Sequence, residues 1–249
     1  MNSIRQEQIR DYIEKNNVVT IKELHTLFPD VSLMTIHRDL DALVEQGIVV
    51  KFRGGARSVR YSSDPEFNVR MRENNLGKIQ IAKKALELIQ PHTAVFMDAS
   101  TTNLALARIL PDIHLNIITT GPSIALELCR LHNPVVTLCC GTINRKNLAL
   151  SGQNTLEMLG KINIDLAFIG VSGCSLEAGF TCGTEGDMLV KRMVIQKART
   201  SVVMCSHDKL KCLMPYTFAQ LDEVDYLISD APMPEAFQAA AREAGLKIL

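Results

Sequence analysis

At 249 residues, 47% hydrophobic and 22% charged, the chain is long enough for two domains, each with a buried core. Its 27 basic residues balance 27 acidic ones, which excludes a wholesale polyelectrolyte binder and leaves charge-driven binding to local patches. The apolar runs are short and the opening MNSIRQEQIRDYIEKNN has no apolar core, so neither a membrane span nor a secretory signal is expected.

Residues 3–16 place Ile4, Ile9 and Ile13 near helical spacing, which predicts a first helix. A second begins at Thr20, with Glu23 at the capping-box position and Leu24 and Phe28 as a short apolar stripe. Ser32 is placed to cap a third helix, with Ile36, Leu40 and Leu43 inward and Thr35, His37, Arg38 and Asp41 largely outward, Thr35 partly covered. Gly47 ends it. IVVKF then reads as a strand, RGGAR as a glycine turn and SVRY as a return strand, so a hairpin carrying Lys51, Arg53, Arg57 and Arg60 follows the helix. This is the pattern of a winged helix-turn-helix over residues 1–61. Its third helix would present Ser32, Thr35, His37 and Arg38 to the major groove of double-stranded operator DNA. Lys51, Arg53 and Arg57, with a tip at Gly54-Gly55, would hold the phosphate backbone.

Residues 62–74 lack apolar periodicity and contain a proline, so they read as a linker. The segment LGKIQIAKKALELIQ is an amphipathic helix. Beyond it seven β-rich runs, TAVFMD, LNIIT, PVVTLCC, IDLAFIG, TSVVMC, VDYLIS and LKIL, alternate with helical patterns over residues 75–249. Near-continuously apolar strands between helices predict a doubly wound α/β domain, a mostly parallel sheet covered on both faces.

Ligands of such sheets bind beyond the strands' carboxyl ends. The loops there are DASTTN with Asp98, Ser100, Thr101 and Thr102; TTGPS with Thr120, Gly121 and Ser123; CGTINRKN with Gly141; GVSGCSLEAGF with Gly170 and Gly173; and SHDKLK with Lys209. Hydroxyls at a helix N-terminus suit a phosphate, Asp98 suits sugar hydroxyls, and Lys209 supplies a cation. Read singly, each hydroxyl is also an ordinary helix cap. The seven cysteines, at positions 129, 139, 140, 174, 182, 205 and 212, form no C-x-x-C pair and read as buried thiols of a reducing cytoplasm. Cys139 and Cys140 point to opposite faces, so no metal is expected there.

The stretch VSLMTIHRDLDALVEQGIVVKFRGGA resembles the signature of the DeoR family of bacterial transcription regulators, V-S-x-x-T-I-R-R-D-L followed by L-x-x-x-G and a wing ending in G-G-A. The resemblance continues through the second half. DASTT is similar to the family's D-x-G-T-T, TTGPS to V-T-N-S, DLAFIGVSG to D-x-A-F-I-G-x-x-G, and SHDKL to D-x-S-K-F. The stretch GFTCGTEGDMLVKRMVIQKA carries a glutamate and then V-K-R, here Glu185 and Lys191. It implies a sensor domain similar in fold to ribose-5-phosphate isomerase and the coenzyme A transferases, taking a phosphorylated sugar or related metabolite. A homodimer or homotetramer is expected, since a single small helix-turn-helix makes too few contacts for a unique genomic site, and no cofactor is expected. His37 stands where the family has arginine, and Ser100, Gly121, Cys140 and Ser206 depart from it in the ligand loops, which implies a retuned pocket.

The leading expectation is therefore a repressor released from its operator by a phosphorylated sugar. The alternative is a sugar-phosphate isomerase-like enzyme with an added nucleic-acid module, using Asp98, Glu185 and Lys209 as acid and base. A thiol-based redox or metal sensor is a third reading, against which the scatter of the cysteines speaks.

Overall fold

The computed structural model describes residues 2–16, 18–52, 54–58, 66–210 and 212–249. The N-terminal unit runs α1 (Asn2–Asn16), β1 (Val18–Thr20), α2 (Ile21–Leu27), α3 (Leu33–Glu45), β2 (Val49–Phe52) and β3 (Gly55–Ser58). Thr20 closes the expected capping box with Glu23, and the Ser32 hydroxyl accepts the Thr35 amide. Ile9, Ile13, Leu24, Ile36, Leu40 and Leu43 meet in one core, closed by Val19, Val49 and Ala56. Ile4, expected to share that stripe, is 63% exposed. Buried Asp39 ties α3 to α1 through Arg5 at 2.5 Å and Gln6 at 3.1 Å.

The hairpin is tighter than expected. Residues 53–54 connect β2 to β3, so Arg57 lies in a strand and not in the turn. The strand β1, too short to leave a signal, pairs with β3 and makes it the centre of a three-stranded sheet. Gly54 adopts φ +97°, and a Cβ on Gly55 would lie 2.2 Å from the Val19 carbonyl oxygen, so the turn tolerates little else. Arg53 and Arg60 lie outside the described residues, as does the end of the expected return strand.

Within the expected linker, residues 67–72 are helical. This α4 (Phe67–Arg72) buries Phe67 against the following domain. There follow α5 (Asn75–Leu86), β4 (Ala94–Met97), α6 (Thr101–Ile109), β5 (Asn116–Thr119), α7 (Pro122–Leu128), β6 (Val135–Leu138), β7 (Thr142–Ile143), β8 (Leu150–Ser151), α8 (Gln153–Gly160) and β9 (Ile164–Gly170). The chain continues through β10 (Gly173–Ser175), β11 (Gly179–Cys182), α9 (Glu185–Lys197), β12 (Ala198–Met204), β13 (Tyr216–Ala219), β14 (Tyr226–Ile228), α10 (Glu235–Ala244) and β15 (Lys247–Ile248).

The seven expected runs all become strands of one parallel sheet, ordered β15-β14-β12-β9-β4-β5-β6. Alternation splits their side chains between two cores. Val95, Met97, Leu166 and Phe168 face α5, α6 and α7. Phe96, Ala167 and Ile169 face α8, α9 and α10, and a small antiparallel sheet β10-β11-β13 that had no counterpart in the expectations. From β4 the chain winds outward to β5 and β6, then returns to β9 and winds the other way. The switch point, where such sheets open a crevice, therefore lies between β4 and β9.

Candidate functional site

At that switch point Asp98, at the carboxyl end of β4, is 1% exposed. One carboxylate oxygen accepts the Ser100 amide at 3.0 Å and Asn103 Nδ2 at 2.8 Å. The other accepts the Gly170 amide at 3.0 Å and faces Lys191 Nζ at 3.2 Å. All four acceptor directions of the carboxylate are thus taken by the protein. Asp98, expected to receive sugar hydroxyls, instead fastens α6, the end of β9 and α9 together.

Lys191 also donates to the Gly170 carbonyl at 2.7 Å and pairs with Asp187 at 3.0 Å. Burial works to lower its pKa, but Asp187 and Asp98 outweigh it and hold the ammonium charged well above the usual lysine range. Ser100, which replaces a family glycine, causes no backbone strain, because it caps α6 at φ −77°. Its Cβ occupies the space a Cβ on Gly170 would need, 2.4 Å away, so the glycine at 170 accommodates the serine at 100.

Asp98, Ser100, Gly170, Asp187 and Lys191 line a cleft with Arg70 and Asn147, whose volume is about 20 Å³, room for a water molecule and not for a sugar. Arg70 comes from α4; its guanidinium donates to the Asn147 carbonyl at 3.5 Å and lies over the Phe67 ring. Counted formally, two cations and two carboxylates line this cleft, and it is balanced.

A second polar corner forms beside it. Lys78 of α5, 5% exposed, donates to the carbonyls of Arg70 and of Glu73, the latter at 2.7 Å. Lys209 pairs with Asp208 at 3.2 Å, and Asn74 donates to Asp208 and Asp230. Burial and the nearby Lys209 lower the Lys78 pKa to about 8. The Lys209 pKa is raised, Asp208 outweighing burial.

The remaining expected residues divide. Thr101 and Thr102 are buried in the first turn of α6; Thr120 is buried after β5; Gly121 caps α7, and Ser123 is half-buried in it. Gly141, Gly173, Glu185 and Lys209 do not line the Asp98 cleft. Of the acid-base trio of the enzyme reading, Asp98 lines this cleft and Glu185 and Lys209 do not, and Glu185 is exposed. Sequence reasoning missed Arg70, Asn74, Lys78 and Asn147. Lys78 had left a signal, since it stands on the stripe 78-81-82-85 that α5 buries.

On the N-terminal unit Ser32 and Arg38 are exposed, and Thr35 and His37 half-buried. The Thr35 hydroxyl is 3.0 Å from that of Ser32. Lys51 pairs with Asp41 at 2.6 Å, and Arg57 turns to the second domain, donating to the Leu213 carbonyl at 2.9 Å. Cys129 and Cys140, expected to be buried with the other cysteines, are exposed, and Cys139 and Cys140 lie beyond the end of β6 and not in a strand; no group of His, Cys, Asp or Glu able to hold a metal occurs among the described residues. No described helix is long and apolar enough to cross a membrane.

Residues 5–61 match the family described as DeoR-like helix-turn-helix domain, and residues 73–231 the DeoR C terminal sensor domain. The chain is 31% identical to the HTH-type transcriptional regulator GolR of Listeria innocua, over 98% of this chain and 96% of that one. It is 32% identical to the HTH-type transcriptional repressor GlcR of Bacillus subtilis, over 97% and 93%. A putative aga operon transcriptional repressor of Escherichia coli O157:H7 is 28% identical, over 99% and 93%. Among solved structures, ribose 5-phosphate isomerase A of Methanocaldococcus jannaschii covers 55% of each chain at 18% identity, with a TM-score of 0.40.

Proposed function

Because the chain belongs to the DeoR family of DNA-binding transcriptional repressors, we propose that it represses a sugar- or carbohydrate-utilisation operon and leaves its operator when a phosphorylated sugar or related metabolite binds. The observation that supports this reading best is the placement of α4. It is the first described helix after the wing, its Arg70 side chain walls the Asp98 cleft, and its Arg70 carbonyl receives Lys78 from the second polar corner. A sugar does not fit a 20 Å³ cleft, so an occupant displaces the Arg70 guanidinium, and on this reading α4, which carries it, shifts as well. The position of α4 and the occupancy of the cleft are then linked, and operator affinity falls by the effector's preference for the displaced arrangement and no more.

The two ends of the effector divide between these corners. Lys78 and Lys209 bring two ammonium groups together at the second, where Asp208, Asp230 and Glu73 partly offset them, and this pair of cations takes the phosphate. The balanced cleft, with Ser100 and Thr101 at the start of α6, takes the sugar by directional hydrogen bonds. Two copies or four act together, since a single small helix-turn-helix makes too few contacts for a unique genomic site.

Gel shift on native upstream DNA tests the reading directly. A shift at low salt is expected, reversed by one or a few phosphorylated sugars and not by the free sugars, and the same compounds should raise the melting temperature by mass action. Absence of any shift at low salt would overturn it.

A further inference from the structure

The first turn of α3 carries two apolar side chains that remain largely exposed among the described residues. Met34 is 71% exposed and Leu33 51% exposed, whereas Ile36, Leu40 and Leu43 of the same helix are fully or almost fully buried. Both follow the Ser32 cap directly, and the first turn holds no acidic residue. An acid there would favour the helix dipole but repel phosphates, so two apolar residues in its place leave the positive end of the helix open to DNA. Spacing puts Met34, Arg38, Asp41 and Glu45 along one outward ridge, at i, i+4, i+7 and i+11, opposite the buried face. Asp41 and Glu45, farther along, would repel the DNA backbone, which confines the approach to the first two turns. There the exposed groups are the Ser32 hydroxyl, Leu33, Met34 and Arg38.

We propose that Met34, supported by Leu33, reads thymine 5-methyl groups in the operator's major groove. The inference rests on α3 being the DNA-reading helix and adds the base it selects. The thymine methyl is the one apolar group that the bases present in the major groove, and an exposed, flexible thioether side chain matches it. Charge complementarity names DNA as the occupant of this face: Arg38 stands one turn from Met34, beside the open N-terminus of the helix. Side chains at i and i+4 are about 6 Å apart, roughly two base-pair steps of about 3.4 Å. Arg38 favours guanine. Each half-site should therefore hold a thymine within about two base pairs of a guanine.

The full-length protein is first used to select binding duplexes from a random library. Each thymine of the selected half-site is then replaced by deoxyuridine, which removes the methyl group alone. A three- to fivefold loss of affinity is expected at one or two positions, about the worth of one buried methyl. Met34→Gln, equally long and on an exposed site, should fold normally, bind the thymine and deoxyuridine duplexes alike, and select sites with that thymine unspecified. Leu33→Gln should show a smaller effect at a neighbouring position. A defined selected site without any dependence on the methyl group overturns this inference alone. So does an unchanged dependence in Met34→Gln, which would assign the methyl to another side chain. A library that yields no selected sequence, with no low-salt shift, overturns the DNA-reading function and this inference together.

Discussion

Two lysines of the second domain are buried to the same depth, Lys191 at 4% and Lys78 at 5% exposure, and meet opposite electrostatic environments. Around Lys191 stand two carboxylates, Asp98 and Asp187, and the Gly170 carbonyl. Around Lys78 stand the carbonyls of Arg70 and Glu73, the like charges of Lys209 and Arg70, and the carboxylates of Asp208 and Glu73 farther off. The first is held charged, its pKa raised; the second is brought down to about 8. Burial alone does not set the two outcomes, because it works to lower both pKa values and only one falls. The acids paired with Lys191 make it a fastener between β4, β9 and α9, whereas Asp208 and Glu73 do not outweigh burial and Lys209 at Lys78, which leaves a site that an incoming anion would improve.

The sharpest way to break this contrast is to remove the fastener. Lys191→Met removes the cation shared by the buried Asp98 and the partly buried Asp187. The expected loss is about 3–5 kcal/mol of folding stability, read from urea unfolding. Adding Asp98→Asn to it should recover part of that loss, since one of the stranded charges is then gone. A single variant within about 1 kcal/mol of the parent would show Lys191 to be as dispensable as a surface ion.

The Lys78 corner makes a prediction in pH. The Lys78 folded pKa, about 8, lies below its unfolded value of 10.5, so between these values the unfolded chain binds more protons and stability rises with pH. An anion bound beside Lys78 favours the charged form and raises that pKa, so effector binding takes up a proton in the same window. Affinity for the phosphorylated effector should accordingly be flat below pH 8 and fall above it, by up to about tenfold per unit, measured by titration calorimetry or release from DNA. Lys209→Met should weaken effector binding and move the break to higher pH, because the second cause of the depressed pKa is removed while burial remains. An affinity that stays constant through this range would place the phosphate elsewhere.

Whether such groups could be foreseen depended on how local their signal is. The seven parallel strands are legible because each is a short, nearly unbroken apolar run. The sheet β10-β11-β13 is not, since GCS, GFTC and YTFA mix glycine and hydroxyls with single apolar residues. Only six residues long, α4 has a single pair of apolar residues one turn apart, Phe67 and Met71, and owes its helix to their docking on a core that lies outside it in sequence. The loop motifs marked Asp98, Ser100 and Gly170, and the family likeness marked Lys191. The role first read for Asp98 still changed, because Asn103, Gly170 and Lys191 reach it from three different elements. Arg70 and Asn147 are 77 residues apart, and no local pattern brings them to one cleft. Asp187 was legible in principle, four residues before Lys191 on one helix.

A third lysine completes the series at its weak end. Lys51 of the wing meets Asp41 of α3 at 2.6 Å, closer than either contact of Lys191 with its acids, yet Asp41 is 60% exposed. If burial among acids and not proximity decides the worth of a pair, breaking this shorter contact should scarcely matter to folding, by under about 1 kcal/mol. Its effect should appear on DNA instead. Asp41→Asn removes a negative charge from the outward ridge of α3 and releases Lys51 to the phosphates. Non-specific affinity should then rise at low salt, and the dependence of log affinity on log salt should steepen by up to about one. Filter binding or fluorescence anisotropy across a salt series would read the slope. An unchanged slope beside a clear loss of stability would mean that the pair holds the wing to the helix and that proximity counts for more than the two interior lysines suggest.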